Sequence, residues 1–246
     1  MATRSQNPVL GRIDFGAQPR VAAEPMTLGG VVRKTGVLLA LAAAAAAWTW
    51  HQVLAGGLSG NVGTMMLVGA LGGFGVAWYT ARNPERAAVT GPIYAVLEGL
   101  LLGAISALMN ARYAGLPLLA VALTMCTLGV MLVLYRAGLV RATERFKTIV
   151  VSCTAAIAVF YLIVIVAGLF GVAPPPFLWQ SGAIGIGFSL FVTGLAAFNL
   201  ILDFDLIERG LGHDPAEYEW FAAFGLVVTL FWLYIEMLRL LGKLRR

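Results

Sequence analysis

Residues 198–210 read F-N-L-I-L-D-F-D-L-I-E-R-G and close an apolar run, 182–207, that carries no charge before Asp203. About 20 such residues, rising 1.5 Å each as a helix, cross the hydrocarbon of a bilayer. Charged groups within such a segment are costly and usually functional, which makes Asp203 and Asp205 the first candidate site residues.

Six further stretches have the same character: 35–54, 63–80, 89–109, 117–135, 149–171 and 220–241. The chain of 246 residues is 60% apolar and 12% charged, with a mean hydropathy of +0.86. A soluble domain carries about 25% charge. The fold class is therefore all-α integral membrane, with seven transmembrane helices. Residues 1–34 read as a basic, flexible cytoplasmic tail and residues 35–246 as the transmembrane domain; the tail lacks the short apolar core of a cleaved signal. Runs of small residues, such as Ala42 to Ala47 and the glycines Gly69, Gly72, Gly73, Gly75, Gly182, Gly185, Gly187 and Gly194, suit close helix approach in lipid.

The net charge of +5 comes from Lys and Arg placed beside apolar runs, a topology signal and not a nucleic-acid footprint. Arg4, Arg12, Arg20, Arg33 and Lys34 precede the first span, Arg82 and Arg86 follow the second, and Arg136, Arg141, Arg145 and Lys147 follow the fourth. The first and fifth loops have no Lys or Arg. The amino terminus is thus expected inside and, after seven spans, the carboxyl terminus outside, although Arg239, Lys243, Arg245 and Arg246 favour the inside.

Few charges fall within the spans. Glu98 lies about 14 Å into the third, near the bilayer middle, and suits either a polar cavity or a structural hydrogen bond. Asp203 and Asp205 point about 200° apart on a helix, so they have different jobs. Asp205 stands four residues before Arg209, the favourable order for an ion pair, whereas Asp203 has no such local partner. Glu236 and Arg239, three apart, can pair on one face, and Glu98 could join them from the middle.

Catalysis has little support. His51 and His213 lie in or beside loops, Cys126 and Cys153 cannot build a metal site, and Ser189 lacks a Gly-x-Ser-x-Gly context. No lysine stands where a Schiff base would need one. No enzyme, cofactor or firmly bound metal is expected.

The I-L-D-F-D-L-I of the sixth span, the L-E-G-L-L-L-G of the third and the closing L-R-L-L-G, in this order and spacing, resemble the Bax inhibitor-1 family, in particular its bacterial YccA-like branch. The resemblance covers about residues 26–243, outside the basic tail. It implies a bacterial inner-membrane protein with six helices around a central seventh. It also implies a pH-dependent calcium leak, or suppression of cell death and modulation of membrane proteolysis. In calcium-leak members an acid ending the sixth span pairs with one in the seventh. Asp203 matches the first by its I-L-D context. Aligning the terminal R-L-L-G places Arg239 on the family's arginine and Thr229 where the second acid stands; aligning L-Y-I-E makes Glu236 that acid, but farther along the helix.

The expected function is a leak for calcium or another cation, with Asp203 and Glu98 as pH gate and ion pathway and with calcium held at most transiently at Asp203. Asp205, Arg209, Thr229, Glu236 and Arg239 form the expected secondary polar network. The partners are the lipid bilayer and the cation, with no nucleic acid. The alternative is a non-conducting regulator that binds a membrane protease or another membrane protein; a third reading, proton-coupled small-molecule transport, lacks a broken helix or paired repeats.

Overall fold

The computed structural model describes residues 24–56, 62–178 and 180–245, so Arg4, Arg12 and Arg20 of the tail, and Arg246, lie outside the described residues. Seven helices follow one another: α1 (Leu28–Leu54), α2 (Val62–Arg82), α3 (Ala87–Arg112), α4 (Leu116–Arg136), α5 (Glu144–Leu169), α6 (Ala183–Gly210) and α7 (Tyr218–Leu244). Each is long and apolar enough to cross a membrane. With no water in the hydrocarbon to satisfy a peptide group, closed helical hydrogen bonding is what lets such segments span it.

The first helix begins at Leu28, seven residues before the boundary expected from hydropathy. Thr27 is extended, and its hydroxyl accepts the Gly30 amide at 3.0 Å, capping the first turn. Arg33 and Lys34 consequently lie inside the helix, and the division between tail and transmembrane unit at residue 34 falls within α1. Before the cap, Glu24 to Met26 run alongside the loop between α6 and α7: Pro25 pairs with Pro215, Met26 N donates to Asp214 O at 2.8 Å, and Ala216 N donates to Glu24 O at 2.7 Å.

α7 is the central helix. It packs against α1, α3, α4 and α6, while α2 leans on α3 and α5 on α6. Its apolar residues Val227, Leu230, Leu233 and Leu238 are at most 1% exposed, a burial on several sides that no outer helix shows over its length. The outward faces of the other helices present large apolar side chains, such as Leu71, Leu118 and Ile165, as lipid requires.

Helices approach most closely where small residues face each other. The alanine run of α1 lies on Gly99 and Gly103 of α3: a Cβ added at Gly103 would lie 2.7 Å from Ala46 Cα and nearer still to Ala46 O. In α2, Gly69 and Gly73 admit Leu101 and Glu98 of α3. Gly75, Gly182, Gly187 and Gly194 face open space, so the dense glycines of α6 do not all mark helix contacts. Substituting Gly103→Val should separate α1 from α3 at a cost of about 1–3 kcal/mol or more, lowering the melting temperature in detergent, whereas Gly129→Ala, which meets nothing within 4 Å and favours the helix, should not lower it.

Candidate functional site

Asp203 sits two turns from the end of α6, facing α7. Its carboxylate lies within hydrogen-bonding reach of the Thr229 hydroxyl. Thr229 also directs its Oγ1 to Gly225 O at 3.3 Å, so its single proton is shared between two acceptors. The other carboxylate oxygen, Oδ2, is buried and has no hydrogen-bond partner among the described residues. A buried acceptor left unmet costs about 1–3 kcal/mol, and more if charged. A carboxylate so placed is a group that changes state more easily than its surroundings do.

Asp205 is compensated. Its Oδ2 receives Lys147 Nζ at 2.8 Å and Arg209 Nε at 2.9 Å, and Glu144 approaches both cations. The local i, i+4 pair is thereby extended to α5, a contact that spacing along one helix does not reveal. Nearby, Tyr135 of α4 donates its hydroxyl to Glu208. The two aspartates therefore have separate surroundings: one faces α7 through a hydroxyl, the other belongs to an ion-pair network.

Glu98 is set between α2 and α3. Tyr94, one turn earlier, hydrogen-bonds to its carboxylate, and Gly73 of α2 leaves the room that its Oε1 occupies. Tyr94 is itself buried against Phe224 and Phe231 of α7, at centroid distances of 5.0 and 6.1 Å. Thus Glu98 is linked to the central helix through the Tyr94 ring, and among the described residues no hydrogen bond or ion pair joins it to Glu236 or Arg239, with which the sequence suggested it could associate.

Glu236 is 1% exposed and lies on the face of α7 toward α5. Arg239 Nη1 meets Glu236 Oε1 at 2.9 Å, and Tyr161 of α5 donates to the same oxygen at 3.1 Å. Arg239 also contacts the Tyr161 hydroxyl and lies over its ring at 5.0 Å. The alignment that puts Thr229, not Glu236, opposite Asp203 is the one whose two residues meet in space.

Two buried clusters had no signal in the hydropathy pattern. Lys243 is 4% exposed and donates to Phe177 O at 2.9 Å, Gly185 O at 2.8 Å and Ser189 Oγ at 2.8 Å. At the other end of α7, Glu219 accepts from Lys34 Nζ at 2.7 Å and from Thr27 N and Oγ1 at 2.8 and 2.9 Å. Both join residues far apart in sequence, and Lys34 of the second lies by hydropathy in the tail before the first span.

The five residues expected to form one secondary network are therefore divided among three places: Asp205 with Arg209, Thr229 with Asp203, and Glu236 with Arg239. Among the described residues no group of three or more His, Cys, Asp or Glu gathers as metal ligands would. A cation at Asp203 would have one carboxylate to meet, which suits passage more than retention.

A family model described as Bax inhibitor 1 like matches residues 7–246. The match takes in much of the basic tail, which the motif resemblance had left outside. No curated protein and no solved structure matches the chain.

The Glu236–Arg239 pair gives a direct test of compensation. Glu236→Ala takes the carboxylate from the half-buried Arg239 guanidinium and should destabilise the protein by about 1–3 kcal/mol. Removing both charges should cost clearly less than the sum of the single substitutions, read as thermal unfolding midpoints in a double-mutant cycle.

Proposed function

The chain belongs to the Bax inhibitor 1 like family, and from that premise we propose that it is a pH-sensitive leak for calcium or a similar cation, with Asp203 as the ionisable gate. The observation that carries this reading is the half-met carboxylate: one oxygen shares a threonine proton and the other meets nothing among the described residues. Protonated, Asp203 fits the α6–α7 seam as a neutral group able to donate a hydrogen bond. Ionised, it demands a counter-charge that the seam does not hold, and a cation or hydrated cation supplies it. The ionised form is thus the conducting one, and flux falls on acidification. Carboxylate oxygen is a hard ligand suited to calcium.

Reconstituted in dye-loaded liposomes, the wild type should pass calcium more slowly as the pH is lowered. Asp203→Asn, a fixed imitation of the protonated acid, should leave a low flux that no longer varies with pH. Thr229→Asp, which places a second acid opposite Asp203, should spread the pH profile into two separated steps, because the two carboxylates cannot easily ionise together. A pH response in Asp203→Asn equal to that of the wild type removes Asp203 from the gate.

The Lys and Arg distribution supports an inner-membrane protein with its amino terminus in the cytoplasm and its carboxyl terminus outside. The opposing signal at the carboxyl end is weaker than its count suggests, because Arg239 and Lys243 are engaged within the bundle and are not free to meet anionic lipid. Fusions at the two ends should report opposite sides: a cytoplasm-dependent fluorescent reporter active at the amino terminus only, and a periplasm-dependent phosphatase active at the carboxyl terminus only. The reverse pattern, or both reporters on one side, rejects this orientation.

A further inference from the structure

α1 and α4 both pack against α7, but they share no extended interface with each other. Between them lies a cavity of about 920 Å³, with Val31 and Val32 on the α1 side, Leu128 and Leu132 on the α4 side and Leu226 of α7 behind. Val32 and Leu132 are 62% and 42% exposed on the outer surface, so the gap faces the lipid. The volume lies within the usual range for a small-molecule site, about 300–1,000 Å³.

The lining changes character toward the end of α4. There Arg136 and Arg141 border the cavity. Among the described residues Arg136 has no ion-pair or hydrogen-bond partner, and Arg141 donates only to Gly138 O, at 3.3 Å. Of the acids on the same wall, Asp205 is held by Lys147 and Arg209, while Glu208 accepts the Tyr135 hydroxyl and keeps its charge, so the two arginines outnumber it. Two cations without ion-pair partners thus stand at the mouth of an apolar groove, which keeps a net positive charge.

A third observation lies deeper. Thr35 lines the cavity, is 8% exposed, and its buried hydroxyl has no partner among the described residues. The usual solution for a helical threonine is to donate to the carbonyl four residues earlier, as Thr49, Thr80, Thr124 and Thr127 do in this bundle. Thr35 leaves that bond unmade and turns a donor toward the cavity. It stands about 10 Å along α1 from the helix start.

We propose that the cavity between α1 and α4 binds one anionic glycerophospholipid. The phosphate lies on Arg136 and Arg141, an ester or glycerol oxygen accepts from Thr35, and an acyl chain fills the groove between Leu132 and Val32. Arginine recognises phosphate through paired donors, and basic pockets between transmembrane helices are suited to anionic headgroups. A zwitterionic choline lipid would bring its own cation to the two arginines and lose that advantage. The site is separate from the Asp203 gate and stands whether or not the protein conducts ions.

The test uses the full chain purified in a nonionic detergent and exchanged against phosphatidylglycerol or phosphatidylcholine with the same acyl chains. Native mass spectrometry should find one phosphatidylglycerol retained per protein, about tenfold in preference to phosphatidylcholine, as two charge-assisted contacts allow. Arg136→Gln with Arg141→Gln should abolish the preference. Leu132→Trp, which keeps both charges and fills the groove, should lower retention of either lipid about tenfold. In parallel, phosphatidylglycerol should raise the unfolding midpoint of the wild type more than that of the variants. Equal retention of the two lipids by the wild type overturns the proposal, as does undiminished phosphatidylglycerol in Leu132→Trp. A midpoint shift from inorganic phosphate as large as that from phosphatidylglycerol assigns the arginines to a free anion and overturns it as well. Should the double arginine variant fail to fold, Leu132→Trp and Thr35→Val, which should also release the lipid, decide the matter.

Discussion

Everything in this bundle depends on how polar groups are compensated along α7, the helix that protein surrounds on most sides. A lipid-facing helix can be apolar throughout, whereas a central helix must anchor its neighbours in depth and register, and in hydrocarbon directional polar contacts do this better than more apolar surface. α7 carries such contacts at both ends. Glu219 joins its start to Thr27 and Lys34 of the first helix, and Lys243 joins its end to two backbone carbonyls and Ser189. Between these points, Tyr234 meets Ser106 of α3 at 2.7 Å, and Glu236 meets Tyr161 of α5. Each contact holds a different neighbour, so the central helix is pinned to α1, α3, α5 and α6 in turn.

Against that background Asp203 is the exception. The other acids deep in the bundle have a cation or a phenolic hydroxyl close by: Glu98 has Tyr94, Glu219 has Lys34, and Glu236 has Arg239 and Tyr161. Asp203 has a threonine hydroxyl already shared with a backbone carbonyl. A residue kept for stability alone would be better served by asparagine, which can donate as well as accept. The disparity between compensated and uncompensated acids is what supports the proposed role of Asp203.

How far the sequence discloses this differs by level. The seven spans are legible because hydropathy over about 20 residues is a sum that single errors do not disturb. Local pairs are legible too, since Asp205 with Arg209 and Glu236 with Arg239 need only helical spacing. Contacts between helices are not, because spacing along one helix says nothing about which neighbour lies opposite: Lys147 beside Asp205, Tyr161 beside Glu236 and Lys34 beside Glu219 all come from elsewhere in the chain. The start of α1 was misplaced for a related reason. Arg33 and Lys34 look like the end of a tail by charge, but Lys34 is inside a helix because Glu219, 185 residues away, receives it.

The exception at Asp203 follows from the side chain opposite. An acid at residue 229 would repel an ionised Asp203 and favour one shared proton between the two, so the protons would leave in two separated steps that belong to the pair. Threonine stays neutral and can give only one hydrogen, which leaves the transition to Asp203 alone. The seam also has space beside that carboxylate: even a Cβ added at Gly225 would stand 4.0 Å from Asp203 Oδ1, at ordinary contact distance. An unmet acceptor, a shared donor and a neighbour without a side chain together make this part of the α6–α7 seam the least tightly determined polar position along the central helix. On the proposed reading a change in proton or cation occupancy acts there first, because Glu219 and Glu236 are already held by partners that would have to be broken.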